Sequence, residues 1–180
     1  MDRTTKNSKI AENSSQKVNN FNSHLYSQTN ETENAVIHYS RNDDGTLTEV
    51  ERVSTGGKGT NGFKATTGEA SAPDPLLSAS SVTLGSNNQM LFVANSGDNS
   101  VSVFKIAENG ELTLMDNMAS GESTSLSSLS YNAEVGVLYA LHSFGPNHIS
   151  VLKVTEDMKL TPMEYRYTVN TQKDKDRIPT

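Results

Sequence analysis

Cysteine is absent from the 180 residues, which excludes a disulfide framework and thiolate chemistry. No apolar run approaches the roughly 20 residues that a membrane-crossing helix needs. The opening stretch MDRTTKNSKIAENSSQKVNN has no apolar centre, so no secretory leader is expected there and a cytoplasmic location is. Basic charge is not in excess: the net charge is −6, with both signs interspersed. Without a basic stripe to neutralise phosphates, nucleic acid is not an expected partner, and without a polybasic patch neither is a membrane surface. The histidines, His24, His38, His142 and His148, are scattered without metal-ligand spacing, so neither a metal nor a cofactor is expected. Apolar residues make up 33% and aromatic residues 6%, little for a compact globule. The deficit is concentrated at the start, where residues 1–20 are expected to be a disordered polar tail, leaving 21–180 to fold.

What the chain does have is an internal repeat. The stretch MLFVANSGDNSVSVFKIAENGELTLMDNMASGE, Met90 to Glu122, has two companions, Leu25–Gly57 and Val137–Asn170. Asn34, Asn99 and Asn147 coincide, as do Val36, Val101 and Ile149, and then Tyr39, Phe104 and Leu152. Eleven residues after each Asn comes a turn position, Gly45, Gly110 or Met158, followed by Leu47-Thr48, Leu112-Thr113 and Leu160-Thr161. Repeats of roughly 40–50 residues that carry several strands each point to a β-propeller. Asp44-Gly45 and Asn109-Gly110 supply the backbone that a tight hairpin needs. Asp157-Met158 puts a methionine at the left-handed position, which costs on the order of 1 kcal/mol, so a different turn is expected there.

The strands are apolar on both faces. In the second copy Val101 and Val103 point one way, Phe104 and Ile106 the other, which places each sheet between neighbours. A complete blade reads Ser81–Leu84, Met90–Ala94, Ser100–Ile106 and Leu112–Met118. The first copy has no clear innermost strand. The expected fold is all-β, a partial propeller of between two and three blades of four-stranded antiparallel sheet, with copies at 24–57, 81–122 and 124–170. His38 falls in the column of Val103 and Val151 and is expected to be half-buried between blades. Residues 58–80 interrupt the repeat, and a loop of that length is usually functional or disordered. Gly56-Gly57-Lys58-Gly59 lacks P-loop spacing, and no helix follows, so no nucleotide is expected on it.

LFVANSGDNSVSVFKI followed by NGELTLMD resembles the seven-bladed propellers of the lactonase family, those similar to bacterial 6-phosphogluconolactonase and to carboxymuconate cyclase. DGTLTEVERVSTGGKG, the run DPLLSASSVTLGSNNQMLFVANSG and the terminal RIPT are similar too, so the resemblance covers Leu25 to Thr180. It implies a ring of seven blades, of which this chain would be an N-terminal part with open edges, completed by the missing blades or another chain. It also implies hydrolysis of a sugar lactone, with a small lactone or sugar acid as ligand.

The family's site lies on the face where second-to-third-strand loops meet the blade crossovers, as the resemblance implies. Here that face collects Asn30–Asn34, Asn95–Asn99, His142–Asn147, the long loop Gly57–Ser80 and Arg177. Lactone opening needs a base to raise a water nucleophile, and donors for the oxyanion. His142, Asp98 and Arg177 are the candidate catalytic residues, and Asn30, Asn95, Asn99 and Asp74 the candidate substrate-binding ones. Asn30, Asn95 and His142 are expected to share one column at the end of the second strand. Asparagine there can equally satisfy turn backbone, and Asp74 can simply orient its proline turns. A propeller that binds a ligand or protein without turnover, and an inactive fragment, are the alternatives.

Overall fold

A computed structural model describes residues 23–76 and 78–169. The tail expected over 1–20 and Arg177 lie outside the described residues. Three antiparallel sheets follow one another along the chain. The first holds β1 (His24–Gln28), β2 (Ala35–Arg41) and β3 (Leu47–Ser54). The second holds β4 (Val82–Leu84), β5 (Met90–Asn95), β6 (Ser100–Ile106) and β7 (Leu112–Ala119). The third holds β8 (Thr124–Asn132), β9 (Val137–Phe144), β10 (Ile149–Val154) and β11 (Leu160–Tyr167). Each sheet is a simple meander, so the fold is all-β and consists of consecutive propeller blades.

The middle sheet is covered on both sides, as its two apolar faces require. Leu91, Val93 and Phe104 pack with Val36 and Leu112 against the first sheet. Phe92, Val101 and Val103 pack with Leu126, Leu138 and Leu152 against the third. Burying a large apolar side chain of this kind stabilises by about 1.5–3 kcal/mol relative to exposure. Among the described residues the two outer faces have no such cover: Leu25 on the first sheet and Tyr139, Tyr165 and Tyr167 on the third are exposed.

The repeat extends to irregularities. Register shifts fall between His38 and Tyr39, between Val103 and Phe104, and between Ser150 and Leu152, the same place in each sheet. A bulge there bends and twists each outer strand alike. The outer hairpins also match. Gly45, Gly110 and Met158 donate their N–H groups to the carbonyls of Asn42, Ala107 and Thr155. Their φ angles are +88°, +85° and +60°. The residue before each, Asp44, Asn109 or Asp157, is not left-handed. The geometry is therefore a turn closed by one left-handed residue rather than a two-residue hairpin. Met158 adopts the same conformation as the glycines, against expectation. Its side chain packs on the core between the second and third sheets, and Thr155 Oγ1 accepts the N–H of Lys159 at 2.9 Å. Those contacts offset the backbone strain.

Candidate functional site

The β1–β2, β5–β6 and β9–β10 loops share one end of the sheets with the crossovers between blades. The long segment after β3 starts as a strap across this mouth. Gly59 N–H donates to Glu31 O and Gly97 N–H to Lys58 O, both at 2.8 Å, so the strap lies between the loops of the first two sheets. Only glycine fits this passage. A Cβ on Gly57 would sit 2.4 Å from the Asn95 amide, one on Gly59 2.3 Å from Asn30 backbone, and one on Gly97 2.1 Å from Gly59 O. The Gly-rich stretch thus has a packing reason, and it leaves the Lys58 side chain exposed at the rim.

A continuous polar chain runs from the rim into the first seam. Lys58 N–H donates to Asp98 Oδ2 at 3.0 Å, and Ser100 Oγ–H to Asp98 Oδ1 at 2.8 Å. Asn95 Nδ2 donates to Ser100 Oγ and Ser102 Oγ at 3.1 and 2.8 Å. Asn34 Nδ2 donates to Asn95 Oδ1 and to Gln28 Oε1, both at 2.8 Å. Asn95 is fully buried, and Asp98 is exposed. Gln28 Nε2 ends the chain as a buried donor with no partner among the described residues.

In the second seam His142 is also fully buried. Its Nε2 lies 2.8 Å from Ser120 Oγ, and its Nδ1 3.3 Å from His148 O. His148 O only accepts, so a neutral ring that makes this contact carries its proton on Nδ1 and turns the Nε2 lone pair to Ser120 Oγ, whose own proton also has Asn99 O as an acceptor at 2.6 Å. Burial holds the His142 pKa below its usual value, keeping the ring neutral at pH 7.

Asn30 is out of column. Thr29 N–H donates to Ala35 O, and His142 N–H to His148 O, as Asn95 faces Ser100. Thr29, Asn95 and His142 therefore share the column, and Asn30 sits one residue on, at φ +57°. Its amide clamps the strap, donating from Nδ2 to Thr60 Oγ1 at 2.7 Å and accepting Thr60 N–H at 2.8 Å. Asn99 Oδ1 accepts Leu126 N–H at 3.1 Å. Asp74 is exposed in its Pro-Asp-Pro turn at φ +49°, with no bond to the other candidates. Hydrogen bonds thus join Asp98 to Asn95, and separately Asn99 to His142. Among the described residues no three His, Asp or Glu side chains are placed to share a metal, and no helix is long and apolar enough to cross a membrane.

Lys58, Ser120 and Gln28 enter the site without having been expected. The glycines flanking Lys58 were the available signal; nothing in the repeat marked the other two.

The family described as lactonase, 7-bladed beta-propeller, matches residues 16–125. Among solved structures, the chain is similar to a Bacteroides uniformis protein described as a 6-phosphogluconolactonase, with TM-score 0.59 and 17% identity over 82% of this chain and 38% of that one. A Lactobacillus plantarum protein gives TM-score 0.58 and 17% identity, over 80% and 39%. The periplasmic gluconolactonase of Pseudomonas aeruginosa gives 0.55 and 14%, over 74% and 34%. The chain thus spans between a third and two fifths of the length of these structures. No curated protein matches it.

Proposed function

The chain belongs to the lactonase family of seven-bladed β-propellers, and from that premise we propose that its mouth forms part of the binding wall for a sugar-acid lactone that is opened by water. The observation that carries this reading is the strap, which sets the exposed Lys58 beside the exposed Asp98 where loops of two blades meet. An ammonium group there suits the carboxylate or phosphate of a sugar acid, and a carboxylate suits the proton of an attacking water. Asn30 and Asn99 hold the strap and the neighbouring loop in place; Asp74 and Arg177 keep the binding and catalytic roles expected of their residue types. The cytoplasmic location expected from the sequence goes with this reading, as does completion of the ring by further blades or another chain.

The test is hydrolysis of 6-phosphogluconolactone and glucono-lactone against the spontaneous rate. The expected result is turnover that falls at least ten-fold in Lys58→Ala and in Asp98→Asn. Binding of gluconate or 6-phosphogluconate without turnover would favour the second reading, a ligand-binding propeller. One observation favours that reading: the Ser120–His142 pair is sealed in the seam, away from any ligand. Neither turnover nor binding would overturn both.

A further inference from the structure

At the other end of the first seam, away from the mouth, β1 and the β4–β5 and β6–β7 turns border an open cavity of about 470 Å³, within the range of small-molecule sites. Three features set it apart from an ordinary gap between blades.

The first is a break in the repeat. By strand register the places of His24 and His38 are taken by Met90 and Val103 in the second sheet, and by Val137 and Val151 in the third. Two imidazoles replace apolar side chains at this end of the seam, and His38 is completely buried rather than half-buried. Burying polar groups in that setting costs stability.

The second is a hydrogen-bonded pair of imidazoles beside a carboxylate. Glu51 Oε1 accepts the N–H of Leu112 at 2.7 Å and lies 3.5 Å from His38 Nδ1, an ion-pair distance too long for a hydrogen bond. His38 Nε2 lies 2.9 Å from His24 Nδ1. The negative charge of Glu51 favours the His38 proton on Nδ1, the order in which His38 Nε2 accepts the Nδ1–H of His24 and His24 Nε2 keeps its lone pair. The rings are held by packing. Tyr26 stacks on His38 at 5.0 Å, its hydroxyl donates to Gly110 O at 2.8 Å, and Gly110 sits against the His24 ring. His24 lines the cavity.

The third is a set of idle amides. Asn87, Asn88 and Gln89 line the same cavity as exposed side chains, and none of them bonds to another described residue. Asn87 and Asn88 are left-handed, at φ +50° and +57°. In the corresponding turn of the third sheet, Asn132 uses its side chain to cap the turn, accepting Glu134 N–H at 3.0 Å.

We propose that this cavity is a second ligand site, separate from the mouth, for an uncharged polyhydroxy molecule of monosaccharide size. His24 Nε2 accepts one hydroxyl proton in a hydrogen bond, the three amides pair with other hydroxyls, and Leu84 and Ile106 lie under the C–H face. Glu108, the one carboxylate on the cavity wall, disfavours anions. The groups facing His24 that can change charge are thus Glu108 and the His38–Glu51 pair.

The test is a titration of the full chain with myo-inositol and with D-glucose, gluconate being the charged control, followed by long-range ¹H–¹⁵N NMR of the imidazoles. The expected result is a saturable shift of the His24 nitrogens, with Nδ1 protonated before ligand is added, and no response to gluconate. His24→Met, which installs the residue of the next blade, should weaken binding at least ten-fold. So should Gln89→Ala, which leaves the imidazoles in place and serves if His24→Met does not fold. Absence of a saturable His24 shift below about 10 mM, an equal His24 shift with gluconate, a His24 protonated on Nε2, or indifference to Gln89→Ala would each overturn the proposal.

Discussion

The two seams start from one backbone plan and finish it with different chemistry. Thr55 and Ser120 occupy the same place after the outer strands. Their hydroxyls cap the carbonyls of Asn34 and Asn99 at 3.0 and 2.6 Å. Beyond that point the first seam uses amides and hydroxyls around Asn95, and the second uses the His142 imidazole. The first closure carries no group that titrates near neutral pH; the second does. Geometry alone therefore does not fix the chemistry of a blade junction, and the two junctions should fail under different conditions.

The largest effect should come from the cores. Phe92→Ala in the second seam and Phe104→Ala in the first should each cost about 3–5 kcal/mol in urea unfolding. Among the described residues the two core clusters join the middle sheet to the first and to the third, so amide exchange should separate them. Phe92→Ala should expose β8 and β9, where its ring meets Tyr131 at 4.9 Å, and spare β2. Equal loss of protection in both seams would show that the three blades unfold as one unit.

Next comes the polar closure. Asn95→Ala removes the acceptor of Asn34 Nδ2 and the donor to Ser100 and Ser102, all buried. The expected loss is about 2–3 kcal/mol, the same at pH 5 and pH 8 relative to the unaltered chain.

The second seam should behave otherwise. Burial lowers the His142 pKa in the folded state, so the unfolded chain binds more protons as the pH falls below its ordinary value of 6.5. Stability from this group is complete above that pH and is lost as the pH falls towards the folded-state value. His24 is shifted in the same direction, first by burial and then by His38, and adds to the slope. His142→Asn, which copies the residue of the first seam, should flatten the fall in Tm between pH 7 and pH 5 without abolishing it. An unchanged slope would mean that His142 does not titrate differently on folding.

The architecture was legible because the Asn34, Asn99 and Asn147 columns mark a loop and its hairpin together, and Val101, Val103 and Phe104 betray a sheet apolar on both sides. The site was less legible. Counting back from the aligned asparagines put Asn30 beside Asn95, although the third copy needs one residue more to reach His142; only strand register shows Thr29 in that place. The burial of His142 was hidden because a column shared between copies does not say which neighbour its side chain meets. Lys58 was masked by its glycines, which were weighed only against P-loop spacing and turned out to form a strap. Met158 was misread because local strain was judged without the core that holds its side chain.

The smallest effect compares two turns rather than two seams. Gly45 and Gly110 close equivalent hairpins at nearly the same φ, +88° and +85°, so a side chain on either meets the same backbone strain, about 1–2 kcal/mol. Their surroundings differ. A Cβ on Gly45 would have its nearest neighbour at 3.7 Å, a flexible arginine tip, whereas one on Gly110 would lie 2.3 Å from His24 Nδ1. Gly110→Ala must displace the imidazole and break its bond to His38; Gly45→Ala displaces nothing. The difference in unfolding free energy should be about 1 kcal/mol, the worth of one hydrogen bond, and it should shrink in a His24→Met background where that bond is already gone. If the two substitutions cost the same, His24 is free to move aside, and its bond to His38 does not hold it.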